Sequence, residues 1–273
     1  MLKLSQRRAR PLLFLLAVAV GPAVMVRVTE PAAAQAPTAK PQLPRTADGK
    51  PNLQGVWQAR SRASHGLEDH HASFGILPGR SVVEGGEIPY QDWAKKKRDE
   101  NFATRLKADP LSNCYMPGVP RLMYMEYPFQ IFQARDHVAM AFEFAQIFRL
   151  IYTNGSKPVQ GIEFWMGDSR GRWEGDVLVV DVTNHNDRTW LDASGNFHSE
   201  ALKVTERYTM RDADTIQYEA TLTDPKVFTR PWTVTVPIYR NKDMDRVLEF
   251  QCNAEAEEAN GAFPREPRTW YPK

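Results

Sequence analysis

From Phe129 onward apolar and polar residues trade places at every second position, the period of a strand with one face buried. The stretch "FQIFQARDHVAMAFEFAQIFRLIYTNG" predicts two or three strands, with turns near Arg135-Asp136 and Asn154-Gly155. Further strands are predicted at 161–166, 177–183, 202–210, 214–223, 228–239 and 246–252, separated by turn residues such as Glu174-Gly175, Asp212-Ala213-Asp214 and "NKDMD". Upstream, "PNLQGVWQAR" reads as a first strand, whereas 61–88 and "DPLSNCYMPGVPR" carry no periodicity. Residues 89–107 predict a helix: Pro89 suits its first turn, and Trp93, Phe102 and Leu106 fall on one stripe among charges. Closely spaced strands with almost no helix between them predict a mainly β chain. Its antiparallel sheet is closed into a barrel or folded into a sandwich, with one short helix before the main sheet. No repeat of fixed period occurs, which argues against a propeller or solenoid.

Alternation also predicts which residues point inward. In 202–210 one face carries Leu202, Val204, Glu206, Tyr208 and Met210; in 216–222 it carries Ile216, Tyr218, Ala220 and Leu222. Trp232, Val234 and Val236 share a face, as do Leu248, Phe250 and Cys252. Glu206 is an acid on an otherwise apolar face, and burying a lone carboxylate is costly. It therefore needs an ion-pair partner, Arg149 or Arg230, or else it serves as a general acid or ligand contact. Strand 138–145 sets large residues (Val138, Met140, Phe142, Phe144) against small ones (Ala139, Ala141, Ala145) and Glu143. The alanine face predicts either close packing of another element or a ligand cavity into which Glu143 reaches.

The decapeptide "GDSRGRWEGD" (167–176) is followed by the strand-like "VLVVDV" and not by a helix, so it lacks the N-terminal amides of a phosphate cradle. It reads as a β-corner: a hairpin turn at Glu174-Gly175, a turn or bulge at Ser169-Arg170-Gly171, and Trp173 as the anchor between them. Asp168 and Arg172 are then placed near the barrel mouth, beside the long loop "NHNDRTWLDASGNFHSE". Loops of that length in compact domains are often functional. Its His185 and His198 stand near Asp187 and Asp192, and a histidine beside a carboxylate can act as a general base. The candidate acid/base residues are Glu206, His185, His198 and Asp181. The candidate ligand contacts are Glu143, Arg149, Trp165, Asp168, Arg172, Tyr218 and Trp232. The adjacent acids and histidines of "LEDHH" (67–71) lack the convergent spacing of metal ligands, so no metal is expected. There is no Gly-x-Ser-x-Gly, P-loop or dinucleotide fingerprint, and no cofactor is expected.

Composition narrows this further. The 273 residues are 42% hydrophobic and 25% charged with a formal charge of +2, ordinary for a globular chain and without the basic stripe of a nucleic-acid binder. Part of the positive charge is Lys3, Arg7, Arg8 and Arg10, which precede the apolar run "PLLFLLAVAVGPAVMV" and then Ala34-Gln35-Ala36. This is the form of a signal peptide spanning 1–36. Residues 37–50 read as a linker and 51–273 as a single β-rich domain, periplasmic or secreted, without stable membrane insertion once the leader is removed. In that compartment disulfides persist, and Cys114 and Cys252 are expected to be bridged.

At "RTADGKPNLQGVW", "FWMGDSRGRWEGDVLVVDVTN" and "VTERYTMRDADTIQYEATLTDPKVFTRPWTV" the chain resembles a family of exported, largely uncharacterised β-rich proteins of soil bacteria. The resemblance covers nearly everything after residue 45 and implies a secreted β-rich domain, but no established activity. Gly55-Val56-Trp57 is similar to the Gly-x-Trp on the first strand of lipocalins, which favours the barrel over the sandwich. The sequence reads as an exported β-barrel domain whose partner is a small, partly apolar molecule. Two other readings stay open: a lyase, isomerase or hydrolase acting on a small organic or sugar substrate, and an envelope or adhesion module without a pocket.

Overall fold

The alternating segments form nine strands that pair in chain order and close on themselves. They are β1 (Gly55–Ala59), β2 (Phe129–Gln133), β3 (His137–Phe142), β4 (Phe148–Tyr152), β5 (Asp168–Glu174), β6 (Val177–Thr183), β7 (Lys203–Met210), β8 (Thr215–Thr223) and β9 (Trp232–Arg240). The structure, a computed structural model, describes residues 42–252. The leader expected over 1–36, the start of the linker and the chain beyond Cys252 lie outside the described residues.

A closed ring with an odd number of strands cannot alternate direction all the way round, so one neighbouring pair must run the same way. That pair is β4–β5, and the other eight are antiparallel. Parallel neighbours cannot be joined by a tight turn, and residues 153–167 make the crossover. The strand expected at 161–166 lies within it and contributes one isolated bridge, Phe164 to His185. The strand directions gather the long connections, 60–128, 184–202 and 224–231, at one end of the barrel. The opposite end has the short hairpins at 134–136, 175–176 and 211–214. Any site built from loops therefore belongs to the first end.

The inward faces expected for β7, β8 and β9 are those observed: Val204 to Met210, Ile216 to Leu222, and Trp232 to Ile238 alternate between buried and partly exposed. Trp57, Phe129, Met140, Ile151 and Val180 complete the packing around the axis. The β-corner expected over 167–176 is instead strand β5, with Ser169, Gly171 and Trp173 turned inward, and the hairpin turn expected at Glu174-Gly175 falls at Gly175-Asp176. Gly171 has no side chain for a steric reason: a Cβ there would lie 2.8 Å from Ile151 Cγ2. The segment 246–252 is not a barrel strand. Leu248 is exposed, and Phe250 stacks on Phe144 and Tyr127 outside the ring. The alanine face of β3 also lies on the outer surface, where Phe132 and Phe148 of the neighbouring strands are exposed.

The expected helix is α1 (Asp92–Ala108), followed by a 3-10 turn at Pro110–Asn113 and a one-turn helix α2 (Arg121–Tyr124). It docks through Ala94 and Asn101, while Trp93 and Leu106 of the expected stripe are exposed. The docking face is narrow because the helix meets another backbone, that of Gly195, without deep side-chain interdigitation. Cys114 and Cys252 form the expected disulfide, with Cα atoms 5.6 Å apart. Closing a loop of 138 residues is worth about 4–5 kcal/mol in the chain-entropy description.

Candidate functional site

Four of the expected site residues meet or flank one another near the barrel axis. Glu206 accepts hydrogen bonds from Tyr218 (2.8 Å) and Tyr208 (3.1 Å) and is paired with both terminal nitrogens of Arg149. Arg149 also donates to Ser169 Oγ at 3.0 and 3.2 Å. Trp232 is buried one layer away, edge-on to Phe228. The Glu206 carboxylate is 0% exposed and the Arg149 side chain 2% exposed, so no water-sized space adjoins the pair. Burial opposes the Arg149 charge, but Glu206 outweighs it and raises the guanidinium pKa. Burial, reinforced by the Glu206 carboxylate, pushes the Tyr208 and Tyr218 hydroxyls well above their usual range. The lumen is thus filled, and its charges satisfy one another.

His185 and His198 also come together, with ring centroids 5.7 Å apart, in the loop at the barrel's long-connection end. This loop is mostly buried. His198 donates from Nδ1 to the Ser199 carbonyl, and its Nε2 faces Thr189 Oγ1 at 2.7 Å. Neither ring nitrogen of His185 meets a well-aligned partner. Burial, with His198 and Arg149 acting in the same direction, lowers the His185 pKa to about 3. Burial likewise lowers that of His198.

Asp192 makes the same loop a hub. It is fully buried and accepts from the backbone N–H groups of Leu67 (2.8 Å), Ser194 (2.9 Å) and Asn196 (3.2 Å). Burial, opposed first by a hydrogen bond from the Asn196 side chain and then by that from Leu67 N, raises its pKa to about 6. Ala193 N and Ser194 Oγ donate to the carbonyls of Ser64 and His65, and Tyr90 OH donates to Asn196 Oδ1. Gly195, at φ +85°, lies where a Cβ would come within 2.8 Å of both Asn101 Cβ and the Phe102 nitrogen. Segment 61–88 is fixed from the other side by Glu84 N to Thr233 O and Thr235 N to Val82 O, which extend the barrel wall.

Between this hub, segment 66–76 and α1 lies a pocket of about 320 Å³, within the usual range of small-molecule sites. Leu67, Ile76 and Phe102 supply its apolar wall; Glu68, Asp69, His71, Arg98, Ser194 and Asn196 supply its polar groups. His70 forms a partition between this pocket and a more open groove bounded by Arg62 and Arg80. The His70 ring nitrogens lie 2.7 and 2.8 Å from the carbonyl oxygens of Glu68 and Leu77. A Cβ at Gly66 or Gly79 would come within 2.8 Å of that ring.

The remaining expected residues are dispersed. Asp181 and Arg172 are half-exposed partners on the outer face of β6 and β5, where Arg172 also holds Glu174. Asp168 accepts from Val159 N and Arg170, fastening the crossover. Trp165 stacks flat on Tyr115 at 5.1 Å. Glu143 accepts from Leu248 N. Nothing in the sequence marks Arg98, Phe102, Ile76 or Asn196 as site residues. The loop containing Asn196 stands out by its length, but nothing periodic connects it to the other three. Among the described residues no three His, Cys, Asp or Glu side chains gather as metal ligands, and no helix is long and apolar enough to cross a membrane. No family model matches the chain, and no curated protein matches it either. What the site can do is read from its geometry.

Proposed function

We propose that the chain is an exported β-barrel domain that binds a small, partly apolar molecule in the loop-built pocket and not in its lumen. One observation carries this reading: the lumen is packed solid around Arg149 and Glu206, whereas the 320 Å³ pocket pairs apolar walls with a few placed polar groups. The leader-like N-terminus and the Cys114–Cys252 bridge support export. Nuclear magnetic resonance of the mature, labelled protein with a library of small organic fragments tests it. Binding is expected to shift amides of residues 66–76, 98–102 and 194–196, and Ala72→Trp at the exposed pocket wall is expected to abolish those shifts. Perturbations confined to the barrel strands, or none at all, would refute the reading.

One observation favours a second reading, an acid/base enzyme. His185 and His198 lie side by side, and His185 borders an open concavity of about 590 Å³ shared with Ile162, Asn184 and Leu202. If a ligand found in such a screen is also turned over, His185→Gln is expected to remove turnover while leaving binding at residues 66–76 intact.

A further inference from the structure

We infer that the chain carries a second binding site, an aromatic platform of Tyr115, Trp165 and Arg188 that takes a neutral saccharide. It is separate from the loop-built pocket, since none of its residues lines that cavity. The Tyr115 and Trp165 rings stack at 5.1 Å with 5° between their planes, and the Arg188 guanidinium stands 6.0 Å from the Trp165 ring centre. Tyr115 is nevertheless 52% exposed and its neighbour Met116 45% exposed. With Trp165 against one face of the phenol ring, the other face is turned to water.

The three loops that carry the platform are fixed by bonds that do not use its side chains. Cys114, directly before Tyr115, is bridged to Cys252, and Tyr115 N donates to the Pro110 carbonyl at 3.1 Å. Phe164, directly before Trp165, donates its N–H to Asn184 O at 2.8 Å and accepts Asn186 N at 3.1 Å. Arg188 N donates to Asn186 Oδ1 at 3.1 Å. Gly118 lies so close to Thr189 that a Cβ would come within 2.5 Å of its Oγ1, which holds the loop of Tyr115 against that of Arg188. A platform fixed in advance loses little freedom when a ligand arrives.

The polar groups select the ligand. Among the described residues the Tyr115 hydroxyl, the Trp165 indole N–H and the Arg188 guanidinium make no hydrogen bond or ion pair with another side chain. Asp187, beside Arg188, and Glu163, two residues before Trp165, are exposed, and their carboxylates accept no hydrogen bond. Open donors and open acceptors around one ring face suit hydroxyl groups, which do both. A carboxylate ligand would meet Asp187, and an ammonium would meet Arg188. A pyranose with equatorial hydroxyls presents axial C–H groups on its ring faces, and their partial positive charge is attracted by the negative face of an aromatic ring.

Nuclear magnetic resonance titration of the mature, labelled protein with cellotetraose and, separately, with indole tests the inference. Cellotetraose is expected to shift the Trp165 indole N–H, identified by its loss in Trp165→Phe, and the amides of 114–116 and 186–188, leaving those of 66–76 in place. Tyr115→Ala is expected to weaken binding about tenfold, and Arg188→Gln about threefold. Tyr115→Phe keeps the ring face and is expected to stay within about threefold of the parent. Unchanged amides in β6 to β8 report that each variant is folded. Ala72→Trp, which fills the pocket, is expected to bind cellotetraose as the parent does, so the two sites fail separately. The inference is overturned if about 20 mM cellotetraose, enough to fill most of a millimolar site, moves none of these signals. It is equally overturned if Tyr115→Ala binds as tightly as the parent, if Ala72→Trp abolishes the shifts, or if indole binds the platform as tightly as the saccharide.

Discussion

The barrel lumen and the loop-built pocket both contain charges, and they use them in opposite ways. In the lumen Arg149, Glu206, Ser169, Tyr208 and Tyr218 close every hydrogen bond on one another and leave no space. In the pocket Glu68 and Asp69 each accept one backbone N–H and still face the cavity, as does Arg98, whose partner Asp99 is largely exposed. Burial alone does not mark a functional charge. A charge is available to a ligand when space adjoins it. None adjoins Glu206, whereas Arg98, Glu68 and Asp69 line a cavity.

The strongest way to break the comparison is to unpair the lumen. Glu206→Leu leaves Arg149 charged and buried without a partner and is expected to destabilise the fold by about 3–5 kcal/mol in urea denaturation. Arg149→Met combined with Glu206→Leu is expected to recover most of that loss, since an apolar pair of similar volume often packs as well as the ion pair. Ligand binding by whatever fraction of Glu206→Leu remains folded is expected to be unchanged. A binding defect in the folded fraction would return Glu206 to the site.

Acid probes the histidines between the two regions. Folded His185 stays neutral down to about pH 3, whereas its ordinary value is 6.5. The unfolded chain therefore takes up the proton first. The stability this group contributes is complete above pH 6.5 and is lost as pH falls toward 3, by up to about 1.4 kcal/mol per pH unit. His198, also lowered, acts in the same direction. Asp192 acts in the opposite one: its folded value near 6 lies above the ordinary 3.8, so the folded chain gains relative stability from it as pH falls through that window. Urea midpoints measured from pH 7.5 to 4.5 are expected to decline, and His185→Gln to flatten the decline. Superimposable profiles would show that His185 does not titrate this way.

Gly195→Ala separates the pocket from the barrel. A Cβ at φ +85°, against the backbone of α1, is expected to cost about 1–3 kcal/mol. It is also expected to push the helix outward, weakening ligand binding at 66–76 while the barrel amides of β6 to β8 keep their hydrogen-exchange protection. Loss of protection throughout the barrel would mean that the two regions fold as one unit.

The difference between the regions also explains what could be read from the chain. Strands β7 to β9 were legible residue by residue because period two reports burial directly, and it marked Glu206 as an anomaly needing a partner, with Arg149 and Arg230 both open; the structure supplies Arg149. Strand β5 was not, because its outward positions are Arg170, Arg172 and Glu174 and its inward ones include Gly171. Charges and glycine there imitate a turn, while Ile151 fills the space a side chain would take. The pocket was the least legible part. Leu67, Arg98 and Asn196 come from two aperiodic segments and a helix, joined through Asp192 and Gly195, and hydrogen bonds between distant loops leave no spacing in the sequence. The length of the 184–199 loop was the trace they left.

The smallest effect is the control that gives the first its meaning. Arg172 carries as many charged contacts as Arg149, bonding Glu174 at 3.0 Å and pairing with Asp181 as well. These partners sit half-exposed on the outer face of the barrel, where water screens them and both long side chains lose rotamer freedom to stay paired. Exposed pairs contribute about 0–1 kcal/mol, so Arg172→Ala is expected to shift the urea midpoint barely beyond error and to leave binding in the pocket unchanged. A loss approaching that of Glu206→Leu would mean that the outer ladder of charges, and not the buried pair, holds the register of β5 and β6. The lumen would then be more tolerant of uncompensated charge than its dryness implies. A null effect leaves the location of each charge, rather than the number of its partners, as the property that separates frame, site and surface in this protein.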